Sequence, residues 1–131
     1  MPTDAIVKFH QSMSETDAYG FDKVRDEQQE LGNKVRGLMS SHGFKSLAAD
    51  QYGAPGVVVC YTDDPDIHNG SKFAKVGLQT AAGVPLMCDE PDDFQTFRVG
   101  LFGLDKLHNI DRTVSSLDAA LSKVTGGTNV R

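Results

Sequence analysis

The 131-residue sequence has few of the features that mark specialised protein classes. It contains two cysteines, Cys60 and Cys88, which are too few for a disulfide scaffold. It has no run of Lys or Arg, and its formal net charge of -5 argues against nucleic acid as the main partner. No apolar stretch approaches the ~20 residues of a membrane span, and residues 1–16 lack the basic and apolar regions of a signal peptide. These absences predict a soluble, cytoplasmic chain of one domain.

Sequence motifs for phosphate, nucleotide and metal binding are also missing. No P-loop, G-x-G-x-x-G or G-x-S-x-G pattern occurs. The stretch DDPDIHNG resembles a calcium loop, but Lys75 stands at the twelfth position from Asp64, where an EF-hand loop has Glu. The histidines fall one to a segment, at no spacing typical of metal ligands: His10, His42, His68 and His108. The sequence therefore predicts no metal site.

The two cysteines give no sign of catalysis. Cys60 lies in the apolar run VVVCY and is predicted to be a buried structural thiol. Cys88 is followed by Asp89 and Glu90, whose negative charges should raise the thiol pKa, so a nucleophile is not expected there. The two residues also lack the C-x-x-C spacing of a zinc site.

The first third of the chain is predicted to be helical. Thr3 is a plausible N-cap, and Ser14 followed by Asp17 resembles a capping box, which predicts a break near Ser14. The next segment reads as one long amphipathic helix of roughly 25 residues that ends at His42-Gly43. Its apolar face is spaced by three or four residues: Phe21, Val24, Gln28, Leu31, Val35 and Leu38.

From Phe44 onwards the pattern changes to strands mixed with helices. Two segments carry strong strand patterns, residues 56–62 and 95–103. Residues 44–50 are predicted to be a short strand, and residues 84–88 either a short strand or a loop. The whole is predicted to be an α+β two-layer sandwich, in which a small, mainly antiparallel sheet carries helices on one face and is preceded by the long helix.

Two helices are expected between and after these strands. The first covers residues 64–83, with Asp64 as N-cap, Pro65 at the first position and Gly83 at the end. The second is capped by Asp111 and ends the chain.

Arg98 is the one charged residue in the apolar run FRVGLFG. Alternation along a strand puts Arg98 on the face opposite Phe97 and Val99. One reading is a rim arginine that forms a salt bridge with a nearby acid, Asp92 or Asp93. The other is that Arg98 points into a cleft and holds a ligand carboxylate in a bidentate fork. Pattern alone does not choose between them.

Three stretches together, residues 1–39, 53–86 and 97–121, resemble the C-terminal small domain of class V aminotransferases. The nearest branch is the alanine–glyoxylate or serine–pyruvate type, which are pyridoxal phosphate enzymes of fold type I. The resemblance covers nearly the whole chain. Its most specific part is an R-[IV]-G-L-[LFM]-G strand, here residues 98–103, followed by a helix that starts with N-[IV]-D, here residues 109–111. In that family the arginine of this strand binds the substrate carboxylate, and Arg98 is the matching position.

The resemblance also implies what this chain lacks. The family's Schiff-base lysine, its acid partner for the pyridine nitrogen and its phosphate-binding loop belong to a large domain that precedes the region matched here. Residues 1–131 are therefore expected to be the small domain alone, with no catalytic residue, no cofactor of its own and no transamination activity. The resemblance further implies small amino acids and 2-oxo acids as substrates of the parent enzyme, and a homodimer. No Schiff-base role is expected for any lysine: Lys8, Lys23, Lys34, Lys45, Lys72, Lys75, Lys106 and Lys123.

Two other functions remain open from the residues alone. The chain would also suit a stand-alone α+β module that binds small carboxylates without catalysis. A third possibility is an interaction domain in which the long amphipathic helix pairs with a second copy of itself. In each case apolar surface along the first third of the chain predicts self-association.

Overall fold

The computed structural model describes the backbone of residues 2–129 and the side chains of residues 2–126. Its strands are β1 (Val57–Tyr61), β2 (Ala81–Ala82) and β3 (Thr96–Gly100). Of the helices in this part of the chain, none has the length and apolar character needed to cross a membrane. The helices are α1 (Thr3–Tyr19), α2 (Phe21–Ser41), α3 (Pro65–His68), α4 (Ser71–Lys75), α5 (Leu104–His108) and α6 (Ile110–Asn129).

The three strands form one antiparallel sheet in the order β1-β3-β2. Arg98 lies at the centre of the middle strand, opposite Val59 on β1 and Ala81 on β2. Phe97 and Val99 are buried on the other face. The predicted α+β class with a small antiparallel sheet and a long N-terminal helix is confirmed.

Helices α2 and α6 pack together over the buried face of the sheet, and their apolar residues meet those of the strands. Burial of this kind stabilises by about 25 cal/mol per Å² of apolar surface. The helical spacing in the sequence predicted part of the buried face of α2 correctly, since Leu31 and Val35 are buried. It was wrong for Phe21, which is 62% exposed, and it did not include Met39, which is buried. The core positions are Leu31, Val35, Met39, Val58, Cys60, Phe73, Phe97, Val99, Leu101, Leu117, Leu121 and Val124.

The break between the first two helices lies at Gly20, and the predicted break near Ser14 is wrong. Gly20 adopts φ 106°, a conformation that residues with a side chain rarely reach. The Ser14 hydroxyl instead donates to the His10 carbonyl within α1, at 2.9 Å. The predicted cap at Thr3 is also displaced, because Thr3 is the first helical residue and Pro2 occupies the cap position.

The predicted helix over residues 64–83 is instead two short helices and an edge strand. Its start is correct, since the Asp64 carboxylate accepts the Asp66 N–H at 2.9 Å and Pro65 is the first residue of α3. Gly70 (φ 82°) then separates α3 from α4, and Gly77 (φ 81°) follows α4. Left-handed glycines interrupt the helical hydrogen bonds, so residues 81–82 are free to join the sheet.

Two smaller predictions are also corrected. Residues 44–50 do not form a strand; Ser46 makes an isolated bridge with Cys60, flanked by a bond from Leu47 N to Val59 O at 2.9 Å. Asp111 does not cap the last helix, because α6 begins at Ile110 and Asp111 lies in its first turn. Residues 84–88, predicted as strand or loop, form a loop.

Candidate functional site

Arg98 is held by the edge strand next to it. Its Nε–H donates to the carbonyl of Ala82 at 2.9 Å. Because β3 lies between β1 and β2, the base of the Arg98 side chain is flanked by Val59 on one side and Ala81 on the other. The Arg98 side chain leaves β3 on the face opposite Phe97 and Val99, and the residue is partly buried. One N–H of the fork is therefore fixed by the fold.

No carboxylate of the described residues lies within 4.0 Å of Arg98. The reading of Arg98 as a rim residue paired with Asp92 or Asp93 is therefore wrong. By contrast, Arg25 pairs with Asp22 and Asp26, and Arg112 pairs with Asp105 at 2.6 Å. A guanidinium carries five N–H donors. Ala82 takes the Nε–H, and the four N–H groups on Nη1 and Nη2 have no acceptor in the part of the chain that the structure describes.

Arg36 is a second arginine without a carboxylate partner, but its guanidinium is hydrogen-bonded to backbone carbonyls. Its Nη2 donates to the carbonyls of Ala54 (2.7 Å) and Val57 (3.3 Å), which ties α2 to the segment before β1. Its Nη1 is fully buried, so a dissolved ligand does not reach it. Nothing in the sequence distinguishes Arg36 from a surface residue of α2. Arg36 also lines a cleft of about 650 Å³ beside α2. Of these two arginines, Arg98 is the one whose Nη1 and Nη2 both lack an acceptor among the described residues.

A tight contact beside Arg98 positions the edge strand. Gly83 N donates to the Thr96 carbonyl at 2.9 Å. A Cβ added at Gly83 would lie 1.9 Å from Thr96 Oγ1 and 2.5 Å from Thr96 O. Only glycine permits this approach, which keeps Ala82 against Arg98. No sequence signal predicts this role, because the local pattern predicts Gly83 as the end of a helix.

His68 shares the same carbonyl. Its Nδ1 lies 2.7 Å from Thr96 O. A carbonyl oxygen only accepts, so this contact assigns the proton to Nδ1 of the imidazole. Thr96 O thus receives two donors, one from α3 and one from the residue after β2. The sequence pattern does not predict this contact, because His68 is one of four histidines that fall in separate segments.

An open cleft of about 500 Å³ lies beyond Thr96, between His68 and the loop of residues 84–92. Glu90 organises that loop, because its carboxylate accepts the backbone N–H groups of Leu86 (2.6 Å), Met87 (3.1 Å) and Cys88 (2.9 Å). These bonds, with the one from the backbone N–H of Glu90 itself, lower the pKa of Glu90 to about 2; the bond from Cys88 contributes most and that from Glu90 N–H is second.

The cysteines behave as the sequence predicted. Cys60 is 1% exposed, and burial raises its pKa to about 11, against a smaller opposing effect of Arg36. The pKa of Cys88 is also raised, first by desolvation of the thiol and then by the charge of Glu90 and its hydrogen bond to the thiol. Within the part of the chain that the structure describes, no cluster of three or more His, Cys, Asp or Glu side chains is placed to hold a metal ion.

None of the eight lysines is a buried free amine. Six are exposed, while Lys72 pairs with Asp64 and Lys106 donates to the Phe102 carbonyl at 2.8 Å. The hydrogen bond from Lys72 lowers the pKa of Asp64. A Schiff-base lysine is ordinarily activated by desolvation or by a neighbouring cation, and this arrangement does not fit that role.

Neither protein-family models nor curated proteins give a match to this chain. The resemblance to class V aminotransferases therefore stays a prediction.

Proposed function

We propose that this chain is the small domain of a pyridoxal phosphate aminotransferase of class V, and that Arg98 anchors the carboxylate of its substrate. The observation that carries the proposal is the unpaired fork of Arg98: a guanidinium on a partly buried residue of the central strand, fixed at Nε by Ala82 and without a carboxylate partner among the described residues. The motif FRVGLFG that surrounds it supports the family part of the proposal.

The geometry suits a small carboxylate. With Nε bound to Ala82, the Nη1 and Nη2 edge remains for end-on, two-point contact with both oxygens of one carboxylate. Gly100, which has no side chain, follows two residues later on the same face of β3. A charge-assisted contact of this kind contributes about 1.5–3 kcal/mol. The role of Arg98 is to orient the ligand; it transfers no proton.

The cofactor of the proposed parent would be pyridoxal phosphate, which serves as an electron sink for bonds at the α-carbon of the amino acid. The described residues do not fit that group, since no lysine is a buried free amine. We therefore assign the cofactor site to a large domain outside these 131 residues. The parent is proposed to be a cytoplasmic homodimer that acts on alanine, serine or glycine with glyoxylate or pyruvate.

The experiment is an NMR titration of the ¹⁵N-labelled chain with pyruvate and, as a neutral control of similar shape, pyruvamide. The proposal predicts that pyruvate shifts the Arg98 Nε–H resonance in a saturable way, whereas pyruvamide binds about 10- to 100-fold more weakly. Equal binding of the two compounds, or none by either, would contradict a carboxylate site.

A second titration tests the assignment of the cofactor. The chain is mixed with pyridoxal phosphate, passed through gel filtration and examined for the absorption band of the imine. The proposal predicts that no stoichiometric band is retained. A retained band would show that one of the lysines is a cofactor site and that the small-domain assignment is wrong. Pyruvate binding without any cofactor requirement in a longer chain would instead favour a stand-alone carboxylate-binding module.

A further inference from the structure

We propose that His68 is a positioning residue for Arg98, acting through the Thr96 carbonyl and strand β2. The functional part of this inference rests on the proposed carboxylate site, while its structural part concerns only how Arg98 is held. His68 does not touch the guanidinium in the contacts that the structure shows; it supports the strand that does.

The connection runs through three hydrogen bonds. His68 Nδ1 donates to Thr96 O (2.7 Å), Gly83 N donates to the same oxygen (2.9 Å), and Ala82 O accepts from Arg98 Nε (2.9 Å). Gly83 directly follows Ala82 in the chain. Any displacement of Gly83 from Thr96 therefore moves the carbonyl that holds Arg98.

The edge strand depends on such support because it is short. Strand β2 has two residues, Ala81 and Ala82, and it pairs only with β3. An isolated pair of this length is marginal without packing from another element. The Gly83–Thr96 contact is close, and the imidazole of His68 lines the same cleft as both residues. His68 thus closes the outer side of the contact that sets the position of β2.

The hydrogen bond requires a donor at the Nδ1 position. Asparagine places its amide nitrogen close to where Nδ1 lies in histidine, whereas leucine keeps the bulk and loses the donor. Two variants, His68→Asn and His68→Leu, therefore separate the hydrogen bond from the packing. The matched pair also controls for loss of the fold, because both replace the same partly buried ring.

The first readout is hydrogen exchange at Arg98 Nε–H, which reports the bond to Ala82. We expect exchange to become about three- to tenfold faster in His68→Leu, in keeping with one lost hydrogen bond, and to return to within about twofold of the wild type in His68→Asn. The second readout is pyruvate affinity, which should weaken in His68→Leu by a similar factor and recover in His68→Asn. If the ring acted only by packing, the two variants would change the exchange rate and the pyruvate affinity alike, and His68→Asn would show no rescue.

The results distinguish this inference from the proposed function. Unchanged exchange at Arg98 Nε–H in a folded His68→Leu chain would overturn the positioning role. Faster exchange that is rescued by asparagine, in a chain that shows no pyruvate binding, would uphold the positioning and remove the carboxylate site. If His68→Leu fails to fold, the imidazole ¹⁵N chemical shifts of the wild type provide the test. The inference predicts that the proton is on Nδ1. An imidazole with the proton on Nε2 would contradict it.

Discussion

At the scale of single residues, Glu90 shows how one side chain can organise a loop. Its carboxylate accepts three successive backbone N–H groups, from Leu86, Met87 and Cys88. Two residues of the loop, Met87 and Asp89, have positive φ (59° and 61°), a conformation that costs free energy unless the surroundings hold it. We infer that Glu90 supplies that constraint.

The low pKa of Glu90 gives a testable dependence on pH. The native value of about 2 lies below the ordinary value of 4.5, so the native chain keeps the carboxylate charged where the unfolded chain is protonated. The stabilising effect is complete above about pH 4.5 and is lost as the pH falls from there towards 2. In an NMR titration, the amide resonances of Leu86, Met87 and Cys88 should hold their positions down to pH 4 and shift below it.

The variant Glu90→Gln serves as the control for that titration. It should shift the same three amide resonances at neutral pH and remove their acid transition, while resonances of α2 stay in place. Amides of residues 86–88 that titrate near the ordinary pKa of glutamate would show that the carboxylate is not held as the structure describes.

At the scale of secondary-structure elements, α2 depends on a close approach to the segment before β1. A Cβ added at Gly32 would lie 2.8 Å from Pro55 O and 2.9 Å from Pro55 Cα, both backbone atoms. Gly37, about one and a half turns later on α2, is exposed, and a Cβ added there would have no heavy atom within 4 Å apart from its chain neighbours and the nearby backbone of its own helix. The same helix therefore carries one glycine that packing requires and one that it does not.

Replacement of each of these two glycines by alanine should change the free energy of unfolding in opposite directions. Gly32→Ala is expected to lower the free energy of unfolding by about 1–2 kcal/mol, because overpacking against Pro55 outweighs the gain in helix propensity. Gly37→Ala is expected to raise it by about 0.5–1 kcal/mol through propensity alone. Urea denaturation of the two variants and the wild type measures both. Equal effects of one sign would mean that α2 does not approach Pro55 this closely.

Elements with a strong pattern could be predicted, and elements set by tertiary contacts could not. The apolar spacing of α2 and the apolar runs of β1 and β3 are local signals, and all three elements are present. The second strand, predicted over residues 95–103, ends at Gly100, so its last three residues were predicted wrongly. Strand β2 carries no strand pattern, since alanine favours helix and is depleted in strands. The pairing of Ala81 and Ala82 with β3 overrides that local preference. For the site, the motif FRVGLFG identified Arg98 from the sequence. The role of His68 could not be predicted in this way, because it depends on a hydrogen bond to Thr96, which is 28 residues away in sequence.

At the scale of the whole molecule, α1 presents an apolar stripe to solvent. None of residues 3–19 is buried, and Ile6, Phe9 and Met13 are 50%, 66% and 52% exposed. Their spacing of three and four residues places them on one face of the helix. Large exposed side chains that are contiguous in this way mark a surface that is normally covered.

We expect the chain to self-associate through this stripe in solution. The double variant Phe9→Ser/Met13→Ser should lower the sedimentation-average mass at a given concentration and leave the melting temperature nearly unchanged, because neither side chain is part of the core. Gln11→Ser, on the polar side of the same helix, is the matched control and should have no effect on mass. A wild-type chain that stays monomeric at the highest concentration tested would contradict this expectation.

The measurement that tests the central claim most directly is the dissociation constant of pyruvate for Arg98→Gln, compared with the wild type and with Arg112→Gln. Arg112 pairs with Asp105 on the surface and serves as the control for loss of one positive charge. The account predicts that Arg98→Gln weakens binding by about 10- to 100-fold, the loss of one charge-assisted contact, and that Arg112→Gln changes it by less than about twofold. Equal affinities for the wild type and Arg98→Gln would contradict the assignment of Arg98 as the carboxylate anchor.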